Sequence, residues 1–298
     1  MPELIYLDNK FETTKNKNKV RYIKYVLKIK KGILYQNHPA FYKNGSNYRY
    51  HNLKKTELEG IDTIKDFKNE STRELTSDDY IYQIKRLADY KNHSPIAGVM
   101  QEYIFGFSEY NKKISTAKYK SNSERIEVIK SNQIKGVEKI DNFTFSIILK
   151  KQYPQFVYWL AMPFFSPMPW EADMFYSQPG LQEKNITLNW FPVGTGPFKL
   201  TENNPNLRMV LEKNKNFRKE VYPSLKDKIV KRKMISYNKN KVIPFIDKAI
   251  YSLEKEQIPR WNKFLQGYYD NSGIASDNYD QAISLNNSGD VSLNKDLE

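Results

Sequence analysis

Three histidines, His38, His51 and His93, are the residues best suited to bind a transition metal or carry protons at neutral pH, and they show no metal-type spacing. No metal site is expected from them. The chain has no cysteine, so it can form neither a disulfide framework nor a Cys-ligated zinc centre, and its redox compartment stays open. Glu171 and Asp173 form the one carboxylate pair that invites a general acid–base reading. Acids placed just after Pro169-Trp170 are better explained as the first turn of a helix, where they meet the positive end of its dipole. Gly194-Thr195-Gly196 invites a phosphate-binding reading, but no Lys-Ser or Lys-Thr follows, and Pro197 interrupts the row of amides that would cradle a phosphate. It reads as a backbone turn. Without a Gly-x-Ser-x-Gly elbow or a Cys-His pair, nucleophilic hydrolysis lacks its parts, and a binding protein is the better class. Aromatics at Tyr158-Trp159, Phe164-Phe165, Trp170, Trp190-Phe191 and Tyr268-Tyr269 could wall a ligand cleft, although core packing explains most of them.

The elements that position these residues alternate between strand and helix. Val20 to Lys30 is rich in Val, Ile and Tyr and reads as a strand closed by a turn at Lys31-Gly32, and Pro39 to Asn52 reads as loop. Thr76-Ser77-Asp78-Asp79 carries a capping box, with Leu75 and Tyr80 at the staple positions. The helix that follows places Tyr80, Ile81, Ile84, Leu87 and Ala88 on one face and leaves Gln83, Lys85 and Arg86 to water. Ser94-Pro95 opens a second helix with Met100, Tyr103, Ile104 and Phe107 as its buried stripe, weakened by Gly98 and Gly106 at about 1 kcal/mol each. Val137–Ile140 and Phe143–Leu149 flank Asp141-Asn142 as a β-hairpin. Pro154 to Phe165 is a short apolar helix or turn, and the prolines at 163, 167 and 169 impose an irregular path to Trp170. Phe198–Leu200, Met209–Leu211 and Lys248–Leu253 read as strands, and Gln257–Gln266 as a helix stopped by Gly267. Lys226 to Lys241 reads as a basic surface loop, and Leu285 to Glu298 as a polar, frayed tail.

Composition sets the outer bounds. With 298 residues, 22 Tyr and 16 Phe, the chain has enough large side chains for one large core or two medium ones. A mean hydropathy of -0.74 and the lack of a long apolar run argue against a membrane-spanning helix. The net charge of +14 raises the question of an anionic partner. Its lysines are scattered among asparagines, as in Lys15-Asn16-Lys17-Asn18-Lys19 and Asn238-Lys239-Asn240-Lys241, a pattern typical of solvated surface. Met1-Pro2-Glu3-Leu4-Ile5 lacks the basic and apolar regions of a secretory signal.

Taken in order, Leu75 to Tyr80, the Asp141 hairpin with Pro154 and Trp159, and Pro192-Val193-Gly194-Thr195-Gly196-Pro197-Phe198 resemble the extracellular solute-binding proteins of family 5, the oligopeptide- and dipeptide-binding proteins. Val210-Leu211-Glu212-Lys213-Asn214, Ile246-Asp247-Lys248 and Leu265-Gln266-Gly267 with Asp270 extend the resemblance over about residues 20 to 280, and Tyr153 to Phe165 looks like a proteobacterial branch. Lys215 departs from the pattern, standing where the family usually has proline, a change expected to loosen one turn.

The resemblance implies an α/β, periplasmic binding protein-like fold of type II, with an incomplete lobe I and the start of lobe II. Residues 1–190 would be an accessory subdomain of lobe I, 191–270 its central-sheet subdomain and 271–298 the start of lobe II, with the chain truncated at both ends. The implied role is capture of short peptides in the periplasm for the permease and ATPase subunits of an ABC importer, by a monomer that needs no cofactor and is not an enzyme. Asn271, Ser272 and Gly273, which follow the lobe crossing, are the implied ligand contacts, with Trp170 a weaker candidate. Two rivals remain: a non-functional fragment of such a protein, and a basic nucleic-acid-binding protein, which only the net charge favours.

Overall fold

The computed structural model describes residues 2–222, 238–274, 276–285 and 290–294. The chain divides into two units, one made of Met1–Thr201 and Leu211–Ala249, the other of Glu202–Val210 and Ile250–Glu298.

The first unit opens with strands β1 (Glu3–Leu7) and β2 (Tyr22–Lys28) and a small hairpin, β3 (Lys43–Asn44) with β4 (Asn47–Tyr48). Helices α1 (Ser77–Ala88), α2 (Ala97–Tyr103), α3 (Phe107–Thr116) and α4 (Asn122–Ser131) follow, then β5 (Val137–Asp141) and β6 (Thr144–Leu149). The antiparallel sheet runs in the order β1-β2-β6-β5, with Ile23 opposite Leu149 and Tyr25 opposite Ile147. This register places the alternate residues of β2 and β6 on one face. There Ile23, Tyr25, Phe145, Ile147 and Leu149 close a core over Ile81, Ile84 and Leu87 of α1 and over Met100, Ile104 and Phe107.

Helix α1 begins as its sequence predicts. The Thr76 amide donates to Asp79 Oδ2 at 2.9 Å, and Tyr80 packs against the buried Leu75. Its expected solvent face is covered instead. Lys85 is buried and donates to the Lys130 carbonyl at 2.8 Å, Gln83 donates to the Phe164 carbonyl, and Arg86 reaches Asp173. A second apolar cluster causes this: Tyr82 of α1 joins Ile126 and Ile129 of α4 and the buried Met174, Phe175 and Leu181. Those last three come from two short helices, α6 (Trp170–Tyr176) and α7 (Pro179–Glu183), which follow α5 (Phe156–Leu160). Both helical faces of α1 are therefore committed to packing.

The expected second helix is two. The chain leaves α2 at Ile104, which bridges to Leu149, and re-enters helix after Gly106 at φ 77°. The four residues of the expected stripe are nonetheless buried or half-buried, because α3 turns its own start toward the same core.

Strands β7 (Phe198–Asn204), β8 (Arg208–Lys213) and β11 (Lys248–Ser252) form a sheet in the order β11-β8-β7, and the division between the units runs across all three strands. Between β8 and β11 lie β9 (Glu220–Val221) and β10 (Val242–Ile243), which pair with each other. Of the expected basic loop over 226–241, residues 226–237 lie outside the described residues. The second unit adds α8 (Gln257–Leu265), ended by Gly267 at φ 77° as expected, then α9 (Tyr279–Ala282) and a hairpin, β12 (Ile283–Leu285) with β13 (Val291–Leu293). Of the tail expected to fray over 285–298, residues 286–289 and 295–298 lie outside the described residues; at Leu285 and Val291–Leu293 the hairpin corrects the expectation, since Val291 and Leu293 alternate with Ser292, a strand pattern that the polar neighbourhood conceals.

Candidate functional site

The Gly194 turn is held from two sides. The Gln36 backbone amide donates to the Gly194 carbonyl at 2.9 Å, the Gln36 side chain accepts from the Gly194 amide at 3.3 Å, and the same side chain donates to the Pro192 carbonyl at 3.1 Å. On the far side of the turn, Asn214 donates from its backbone to the Pro197 carbonyl and from its side chain to the Gly196 carbonyl, at 2.8 and 2.9 Å. With the Gly194 amide engaged and Pro197 lacking one, the backbone-turn reading holds. The turn that contains Lys215 is closed by two hydrogen bonds: Asn214 Oδ1 accepts from the Asn216 amide and the Asn214 carbonyl from the Phe217 amide, each at 3.0 Å. Asn216 then donates to the Tyr35 carbonyl and to Asn37 Oδ1.

The polar residues with chemical potential are engaged in the interior. Glu171 and Asp173 do lie in the first turn of α6, and both are buried. Arg73 donates to Glu171 at 2.6 and 2.7 Å and to Asp79 at 2.6 and 2.9 Å, and Tyr48 also donates to Glu171. Burial works against the guanidinium charge, but the two carboxylates outweigh it and raise the Arg73 pKa. Asp173 accepts from Tyr82 at 2.7 Å and Arg86 at 3.0 Å. Carboxylates held this way serve as counter-ions within the packed interior. The Nδ1 atom of His38 accepts from the Ala40 amide, which leaves its Nε2–H to donate to Tyr176 Oη at 2.7 Å, and Tyr176 in turn donates to the Phe191 carbonyl. Burial lowers the His38 pKa to about 3. His51 stacks on Tyr48, and His93 is exposed in the left-handed region. Among the described residues no group of histidines and carboxylates could hold a metal ion, and no helix is long and apolar enough to cross a membrane.

Trp170 lies in the first unit, half-buried, with the edges of Tyr48 and His51 meeting its ring and the Lys130 ammonium 3.4 Å from its centre. Asn271, Ser272 and Gly273 lie in the second unit just past α8. Asn271 and Gly273 are exposed, and Ser272 turns its hydroxyl onto the Gly273 carbonyl at 3.1 Å. A side chain at Gly273 would meet only Arg260, at 3.8 Å, so its backbone can be approached closely.

One further feature of the first unit is not legible from spacing. Glu212–Lys215, Phe217–Lys219, Val242–Pro244 and Asp247-Lys248 line an open cleft of about 700 Å³. The resemblance already took in Glu212 to Lys215 and Asp247-Lys248 of this lining, but as separate stretches; the fold brings them to one cleft, with Asn214 fixing the turn.

The sequence model of a family described as bacterial extracellular solute-binding proteins, family 5, matches residues 65–294. The periplasmic oligopeptide-binding protein OppA of Salmonella typhimurium is 29% identical over 143 residues, which are 48% of this chain and 23% of that protein. Among solved structures, Listeria monocytogenes OppA bound to peptide aligns over 94% of this chain and 42% of its own, with a TM-score of 0.51 and 13% identity, a likeness that shows the fold. Burkholderia pseudomallei OppA aligns over 96% and 44%, with a TM-score of 0.49 and 15% identity. The chain thus spans less than half the length of these relatives. Because the family match covers most of its residues, the chain belongs to the bacterial extracellular solute-binding proteins of family 5.

Proposed function

We propose that this chain captures short peptides in the periplasm as part of the substrate-binding component of an ABC importer, which hands them to the permease and ATPase subunits. The family match over residues 65–294 carries the reading, and the relatives named as oligopeptide-binding proteins supply the ligand class. Peptides suit such a protein because main-chain groups are the same in every peptide. Backbone contacts then give affinity without fixing side-chain identity, and water fills the remaining space.

Asn271, Ser272 and Gly273 are the proposed contacts. They offer an amide side chain, a hydroxyl and an approachable backbone in consecutive positions. Trp170 remains the weaker candidate, since Tyr48, His51 and Lys130 already occupy its ring. The test is saturation-transfer NMR of the chain with a pool of uncharged di- to pentapeptides, a method that detects weak binding. Transfer to the peptides is expected, and it should fall sharply in Gly273→Trp, where an indole would cover the approachable backbone. A pool that shows no transfer overturns the reading. Equal transfer in Gly273→Trp overturns the assignment to 271–273.

A further inference from the structure

We propose that the cleft beside Phe217 is a docking surface for a short acidic segment of another polypeptide that also carries an apolar or aromatic side chain. This is separate from the peptide-capture contacts at 271–273. Five basic residues, Lys213, Lys215, Arg218, Lys219 and Lys248, line the cleft with two acidic ones, Glu212 and Asp247. Three of the five already have counter-ions: Lys248 with Glu212 at 3.1 Å, Lys213 with Asp247 at 3.8 Å, and Arg218 with Glu220 at 2.5 Å. Lys215 and Lys219 are exposed and have no ion pair among the described residues. Two uncompensated cations at one mouth set a local positive potential that an incoming carboxylate would neutralise.

The floor is apolar and continues into a second hollow of about 580 Å³, which shares Phe217, Arg218, Ile243 and Pro244 with the first and adds Tyr222 and Phe245. Tyr222 and Phe245 stack with ring centres 5.8 Å apart, and Phe245 is 49% exposed. Arg218 lies 4.8 Å from the centre of the Phe217 ring. Aromatic and arginine side chains around an apolar floor are what the buried centre of a protein–protein contact uses, with charges on the rim. The base is firm: Asn214 ties it to the Gly196–Pro197 turn, Asn216 ties it to Tyr35 and Asn37, and Lys213 donates to the Pro244 carbonyl at 3.2 Å. A preformed surface loses little entropy on binding.

The charge pattern favours a polypeptide over the other polyanions. A nucleic acid is held by a continuous run of uncompensated cations, one for each phosphate neutralised, and here carboxylates alternate with the bases and leave two. Both hollows fall within roughly 300–1,000 Å³, the range of small-ligand pockets, so the fit is to a few residues and not to an extended surface.

Fluorescence anisotropy tests this with a fluorescein-labelled hexapeptide carrying two glutamates beside one phenylalanine, and with its twin carrying glutamines. The acidic peptide should bind about fivefold more tightly than its twin, the gain of two exposed ion pairs. That difference should vanish in about 0.5 M salt, where the Debye length shrinks to a few ångströms. In the double variant Lys215→Glu/Lys219→Glu the acidic peptide should lose its advantage while the glutamine twin binds as before, whereas a misfolded cleft would lose both. Phe217→Ala should weaken the two peptides alike. Transfer to the uncharged peptide pool should be unchanged in Lys215→Glu/Lys219→Glu, which separates this proposal from the one at 271–273. Equal binding of the twins, or an acidic preference that survives the charge reversal, overturns it. So does tighter binding of a short single-stranded DNA or of phosphatidylserine vesicles than of the acidic hexapeptide.

Discussion

At the scale of single residues, the side chains most suggestive of catalysis are spent on structure, and His38 shows how. Its ring is buried, both nitrogens are engaged, and the chain of bonds runs from the Ala40 amide through His38 and Tyr176 to the Phe191 carbonyl. Protonation would put a hydrogen on Nδ1, where the Ala40 amide already points, so the imidazolium loses a bond and gains a buried charge. Burial is the main reason that its pKa falls to about 3, with Lys199 and His51 adding repulsion. The sign follows from linkage. The folded chain binds a proton less readily than the unfolded chain, whose histidine titrates near 6.5, so the stabilisation is full above about pH 6.5 and is lost as pH falls from there toward 3. Urea melts from pH 7.5 to 4 should show stability falling across this range, with a shallower fall in His38→Gln, which has no proton to gain. Parallel slopes in the two proteins would assign the acid sensitivity to other groups. None of this was legible in the sequence, where His38 is a histidine without metal-type spacing: its partners at 176 and 191 are brought to it by the tertiary fold.

Secondary structure was legible where a local signal and the core agree. The capping box at Thr76 and the stop at Gly267 stand where cap chemistry places them, and the hairpin expected around Asp141-Asn142 forms with its turn one residue later, at Asn142-Phe143, because Asp141 pairs with Thr144. Helix α4 has a cap signal, with Ser121 Oγ accepting from the Glu124 amide at 3.1 Å, but its apolar period is broken: Ile126 and Ile129 point into the core, and Arg125, on the same side, is buried too, paired with Asp89. A buried ion pair breaks the apolar period that a sequence shows. The joint between α2 and α3 is the more instructive case, because it can be tested with one methyl group at each of two glycines. Gly106 sits at φ 77°, and a Cβ there would lie 2.8 Å from Lys135 Cβ and 2.9 Å from Lys135 N. Gly98, inside α2, faces open space. Gly106→Ala is therefore expected to cost about 2 kcal/mol, from the left-handed backbone together with overpacking. Gly98→Ala should stabilise by about 0.5–1 kcal/mol through helix propensity. Chemical denaturation of both variants checks the pair, and two effects of the same sign would contradict a break at Gly106.

Across the whole molecule, apolar burial is unevenly shared between the two units, and the consequence for stability is direct. Among the described residues, the buried hydrophobics of the second unit are Val210, Trp261 and Ala282 alone, while the sheet and both large clusters belong to the first. The second unit instead exposes Leu207, Ile250, Tyr251, Tyr268, Leu285 and Val291, and β11 is an edge of its sheet. The strands expected at Phe198–Leu200, Met209–Leu211 and Lys248–Leu253 are found as β7, β8 and β11 of one three-stranded sheet. Local opening free energy follows buried apolar contact, so the two units should unfold at different costs. Native-state hydrogen exchange should find the amides of β2 and β6, with Tyr25 and Ile147 between their neighbours, exchanging only through the largest opening of the chain. The paired amides of β12 and β13 should exchange through a much smaller opening, whose rate is independent of urea at low concentration because little surface is exposed. If the β12–β13 amides were as slow as those of β2 and β6 and shared their urea dependence, the chain would be one cooperative body. The sparse core of the second unit would then have to be offset by contacts other than apolar burial.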